Sequence, residues 1–107
     1  MNVTHKDYLL IDKAVNYVLT HHVKGMSADR ETHMRKFSAE GREKIRKSSS
    51  RISYNEVVGI AEALNAYADM LYNNPLYTDT SNIEHAYQLS DKLYENAAYL
   101  LDSSQNM

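Results

Sequence analysis

Three tetrads in this chain set a hydroxyl three residues ahead of a carboxylate: Thr4 with Asp7, Ser53 with Glu56, and Ser81 with Glu84. In a capping box the hydroxyl accepts an orphan amide of the first helical turn, and the acid reaches back to the cap amide. Each tetrad stands directly before apolar residues at helical spacing, so each helix start carries two independent signals. No stretch alternates apolar and polar residues as a half-buried strand would. The expected fold is all-α.

The first helix is predicted over residues 4–23. Tyr8, Ile11, Val15, Val18, Leu19 and His22 share one arc of it, and Lys24-Gly25 supplies a cation and a glycine stop. The second is predicted over 28–47, capped by Ser27, with Asp29 and Glu31 suiting its positive first turn. Its apolar stripe is narrow, Met34, Phe37 and Ile45, and Gly41 in its middle costs about 1 kcal/mol relative to alanine. A bend or break is expected there.

The third helix is predicted over 54–72 on Val57, Ile60, Ala61, Leu64, Ala68 and Leu71, and is ended by Asn73-Asn74-Pro75. The fourth is predicted over 82–101. Its apolar residues cover nearly half the circumference, the pattern of a deeply packed helix. Asp102 to Met107 is expected to be a frayed tail. Four helices with short links in 107 residues make one domain, a small four-helix bundle or a related helical packing. A looser arrangement would drape the second helix over the other three.

The core supply is modest. Leu, Ile, Val and Phe number 22, and nine tyrosines add ring area. With no cysteine, disulfides and thiolate-bound metals are excluded. No apolar run reaches about 20 residues, so no membrane span is expected. Tyr8-Leu9-Leu10-Ile11 is too short for a secretory signal, so the default location is the cytoplasm.

The formal net charge of −2 conceals a segregation. Residues 1–23 are neutral, residues 24–51 carry nine Lys or Arg against four acids, and residues 52–107 carry Lys92 alone against eight acids. Arg35, Arg42 and Arg46 fall on one ridge of the second helix, with Lys36 and Lys47 nearby. Such a ridge suits phosphates or an acidic partner. The simpler expectation is a solvated face, or pairing with acids of the third and fourth helices.

Catalytic and metal-binding patterns are poor. No two of His5, His21, His22, His33 and His85 stand four apart, and there is no glycine-rich phosphate loop. His21, His22 and His33 would meet Asp29 or Glu31 only through a particular loop fold, so no metal, cofactor or catalytic residue is assigned. His22 is expected in the core or at an interface. A helix-turn-helix would send the third helix into the major groove. That helix carries Glu56, Glu62 and Asp69 and no cation, so phosphates would repel it.

Spare faces are the more informative feature. Gly59, Ala63, Ala66 and Met70 line a side of the third helix that its main stripe does not use. Leu10, Ala14 and Tyr17 form a second stripe on the first helix. Such faces either bury a helix on two sides within one chain or meet a partner. Two of them in a small chain favour self-association, because large apolar patches are rare on monomers. Tyr77, in the loop, and Tyr99, on the polar side of the fourth helix, are candidate partner contacts. The expected function is a non-enzymatic protein-interaction module, an adaptor or inhibitor, that forms a homo-oligomer. The alternative is binding of nucleic acid or a phosphorylated ligand through the basic second helix.

Overall fold

In a computed structural model, residues 3–49 and 51–105 are described. They form four helices: α1 (His5–Thr20), α2 (Ala28–Arg46), α3 (Tyr54–Tyr72) and α4 (Thr80–Gln105). Two of the three capping boxes are built as expected. Thr4 Oγ1 accepts the Asp7 amide at 3.0 Å, and Asp7 Oδ2 accepts the Thr4 amide at 3.2 Å. Ser53 Oγ accepts the Glu56 amide at 3.2 Å, and Glu56 Oε1 accepts the Ser53 amide at 2.8 Å. Ser27 caps α2 through the Arg30 amide.

The third box is displaced. Asp79, two residues earlier, accepts both the Ser81 amide and the Ser81 hydroxyl, and α4 begins at Thr80. An ionised carboxylate is the stronger acceptor at a positive helix end, so it takes the place that the Ser81 hydroxyl would have filled. At the other end, α4 runs to Gln105, and Asn106 and Met107, the end of the expected tail, lie outside the described residues. α1 ends early, at Thr20, where the next residue, His21, turns extended (φ −130°, ψ 142°). His22 therefore leaves the apolar stripe, and its side chain is 77% exposed. The expected stop at Lys24-Gly25 is therefore not the end of α1; Gly25 instead takes φ +85°, in the left-handed region, within the link to α2.

The deepest helix is α3. It packs against all three others, while α4 rests chiefly on α3 alone. The wide stripe of α4 is consequently only half covered. Ile83, Ala86, Leu89, Leu93 and Ala97 are buried, but Ala98 is exposed and Tyr94 lies at the rim. Burial on two sides belongs to α3 because it has neighbours on both.

The two glycines inside helices explain how α2 joins the bundle. Gly41 does not break α2, which is continuous from Ala28 to Arg46. A Cβ there would lie 2.8 Å from Ile60 Cδ1 and 3.2 Å from the Glu56 carbonyl oxygen. On the facing helix, a Cβ at Gly59 would lie 2.8 Å from the Ser38 amide nitrogen and 3.1 Å from Phe37 Cβ. Each glycine thus admits the other helix to close range. Met34, Ser38 and Gly41 of α2 are buried, so α2 is a full member of the bundle and not a drape.

Gly59→Ala is expected to destabilise the chain by about 1–3 kcal/mol through overpacking against backbone. That loss opposes a gain of about 1 kcal/mol in helix propensity. Urea unfolding measures the balance, and a variant more stable than the wild type would overturn the close approach.

Candidate functional site

The arginine ridge is turned toward α1. Arg35 Nε donates to the Val18 carbonyl at 2.8 Å, and its Nη2 donates to the His21 carbonyl at 3.2 Å. These carbonyls lie at the C-terminal end of α1, where helical partners run out. Arg42 Nη1 donates to Asp12 at 3.1 Å and to Asn16, both on α1. Arg46 pairs with Glu43 one turn back and holds the Glu43 carboxyl at about 2. Lys47 lies 3.6 Å from the same carboxylate, and Lys36 sits over the Phe37 ring at 5.2 Å.

Pairing therefore runs mainly to α1 and within α2. The expected acids of α4 take no part in it among the described residues. Two α3 acids do, through cations outside the ridge: Arg30 with Glu62, and Lys44 with Glu56 at 2.7 Å.

Two buried carboxylates organise this wiring. Glu31, 3% exposed, accepts the Val23 amide at 3.4 Å, pairs with Arg35 and meets His22 Nδ1 at 2.9 Å. It thereby fixes the link between α1 and α2. Glu56, 2% exposed, serves both as the α3 cap acid and as the partner of Lys44. Burial alone would raise its carboxyl, but the Lys44 ammonium and the Ser53 amide outweigh that and lower it. A similar arrangement ties α4 to α1, where His85 Nε2 meets Asp7 Oδ1 at 2.7 Å. Burial opposes the shift, yet the His85 bond and the Thr4 amide hold the Asp7 carboxyl below its usual range. The sequence places Asp7 only at a helix start; Glu31 is readable both there and as a group His22 could reach through the loop, while its bonds to Val23 and Arg35 leave no local pattern.

The spare faces divide. Gly59 and Ala63 are buried inside the chain, Gly59 against Phe37 and Ser38 of α2. Leu10 and Ala14 are likewise core, at 5% and 0% exposure. These four are therefore corrected from partner face to interior, since α3 has close neighbours on both sides. The remainder comes together. Tyr17 of α1 and Ala66 and Met70 of α3, all half-buried, line one cleft of about 350 Å³. Val23 and Lys24 of the first link form another wall, and Asp69 and Asn73 at the end of α3 complete it. Those four were not anticipated, because loop and polar positions leave no trace in apolar periodicity.

Aromatic rings furnish the surroundings. Tyr17 stacks on His21 with centroids 4.7 Å apart and tilts against Tyr67 at 5.9 Å. Tyr87 donates its hydroxyl to Asp69, and burial followed by that bond pushes the phenol up to about 12. Tyr77 is half-buried, and its hydroxyl accepts from Asn82 Nδ2 at 3.0 Å. The neighbouring Leu76 is the exposed large apolar side chain of that loop, at 88%. Tyr99 is 74% exposed, on the polar side of α4. Among the described residues no group of three or more His, Asp or Glu could hold a metal ion, and no helix is long and apolar enough to cross a membrane.

No protein-family model matches the chain, and neither curated proteins nor solved structures give a match.

Arg35→Ala is expected to cost about 1–3 kcal/mol, since it strips donors from two helix-end carbonyls and from buried Glu31. Arg46→Ala should leave the unfolding midpoint in place, and equal effects would sink the distinction. The Glu56 carboxyl is lower in the folded chain than its unfolded value near 4.5. Its contribution is full above that value and is lost as pH falls through the lower folded one. Lys44→Met removes the main lowering cause, so acid unfolding followed by circular dichroism should begin at a higher pH. An acid transition unmoved by Lys44→Met would exclude that role.

Proposed function

We propose that this chain is a non-enzymatic helical interaction module, an adaptor or an inhibitor, that meets another protein through the Tyr17–Ala66–Met70 cleft. One observation carries this reading: residues from two separate spare stripes, far apart in sequence, converge on one apolar concavity at the protein surface. Its size is at the lower end of the range for binding pockets, about 300–1,000 Å³, so it suits one or two side chains of a partner. Tyrosine beside an apolar floor is the composition of interface hot spots. Lys24 and Asp69 at the rim supply polar contacts that would set orientation.

The alternative, phosphate recognition by α2, requires a free ridge of arginines. Arg35 and Arg42 are bonded to α1, and Arg46 to Glu43, which leaves that reading with less support.

The test uses Lys24 as a reporter. An amine-reactive cross-linker applied in the native cell is expected to join Lys24 to a protein. Met70→Glu should abolish that product, while Lys36→Glu, remote from the cleft, should leave it intact. Cross-linking unaffected by Met70→Glu would overturn the cleft as the working surface. Separately, salt-sensitive retention of nucleic acid by the wild-type chain, lost in a variant with Arg35, Arg42 and Arg46 replaced by Glu, would favour the phosphate reading.

A further inference from the structure

The cleft and, among the described residues, the most exposed large apolar side chain lie at the same end of the bundle. Asn73 lines the cleft, and Leu76 follows it by three residues. Leu76 does not hang from a loose loop. Asn74, Pro75, Leu76 and Tyr77 form a tight turn in which the Tyr77 amide donates to the Asn74 carbonyl at 3.0 Å. The Leu76 amide donates to Asn74 Oδ1 at 3.1 Å. Asparagine first and proline second are the residues such a turn favours, one for its side-chain acceptor and one for its preset φ. Tyr77 is further pinned to α4 through Asn82. The turn thus holds up an apolar knob that is 88% exposed, with its backbone already ordered.

The rim charges are self-complementary. Lys24 and Asp69 stand at one cleft, and among the described residues neither is in an ion pair. A two-fold axis makes residue i of one copy meet residue j of the other, and j meet i. A patch holding one knob, one cavity, one cation and one anion can satisfy that rule.

We infer that the occupant of the cleft is a second copy of this chain, docked about a two-fold axis with Leu76 of each copy in the other's cleft. Lys24 of each copy then pairs with Asp69 of the other. This rests on the cleft being the working surface and names what fills it. Leu76 enters between Ala66 and Met70, with the Tyr17 ring as a side wall. Because the knob is ordered before association, little conformational entropy is lost in docking it.

Sedimentation of the full-length chain over a range of concentrations tests the inference. The wild type is expected to pass from monomer to dimer as concentration rises. Leu76→Asp, at a position with almost no part in folding, should weaken the dimer about tenfold or more by removing a buried leucine. Lys24→Glu alone and Asp69→Lys alone should each weaken it, because each sets like charges together twice. An equimolar mixture of those two single variants should recover a heterodimer, since opposite charges then face each other at both contacts.

A wild type that stays monomeric, or a Leu76→Asp dimer as tight as the wild type, would overturn the second-copy occupant. If the monomeric chain still gives the Met70-dependent cross-link to another protein, the cleft stands as an interaction surface with a different occupant. If that cross-link is also absent, both readings fall.

Discussion

The close approach of α2 and α3 at Gly41 and Gly59 sets the rest of the arrangement. Two helices can lie at short range only where side chains do not hold them apart, and here each supplies a glycine to the other's surface. That contact gives α3 a covered side opposite α4 and makes it the central element. It also brings the basic helix against the chain rather than leaving it in solvent. The penalty of glycine in a helix interior is small beside the packing that the missing Cβ permits.

With α2 held close, its charges acquire structural work. Arg35 and Arg42 fasten the outer side of α1, and Arg30 and Lys44 fasten α3. Glu31 and Glu56 are the buried acids that receive part of this network, and each also helps to set a chain segment, the α1–α2 link or the α3 cap. Buried carboxylates need such partners, since removing one leaves an uncompensated charge in low dielectric. The segregation of charge along the chain is therefore better understood as wiring between neighbouring helices than as a cationic track for a ligand.

The opposite outcome holds at the end of the bundle where α1 and α3 finish. There Tyr17, Ala66 and Met70 are only half-buried, and the rings of His21 and Tyr67 flank them. Nothing in α2 or α4 closes this corner, because α2 crosses α3 nearer its start and α4 lies along another side. An apolar concavity with a polar rim remains, next to a turn that presents Leu76. The interaction reading depends on this corner and not on the faces that the bundle itself covers.

Much of this was legible in the residues before any packing was known. Apolar periodicity located all four helices, and the boundaries of α3 follow directly from Ser53, Glu56 and Pro75. The Thr4 and Ser53 boxes were readable because capping is a bond between neighbours three residues apart. Where two acceptors competed, as Asp79 and Ser81 do, local pattern chose wrongly, since both satisfy it. The same locality limits what periodicity says of faces. It shows that a helix has an apolar side, but which neighbour covers that side depends on where other helices lie. Hence Gly59 and Ala63 went inward, α3 and not α4 became the deepest helix, and the arginines turned to α1. The sequence alone determined four amphipathic helices and their caps, because those are set within one or two turns. Tertiary structure alone decided which charges pair, which small residues face a backbone, and which apolar stripes remain to form a cleft.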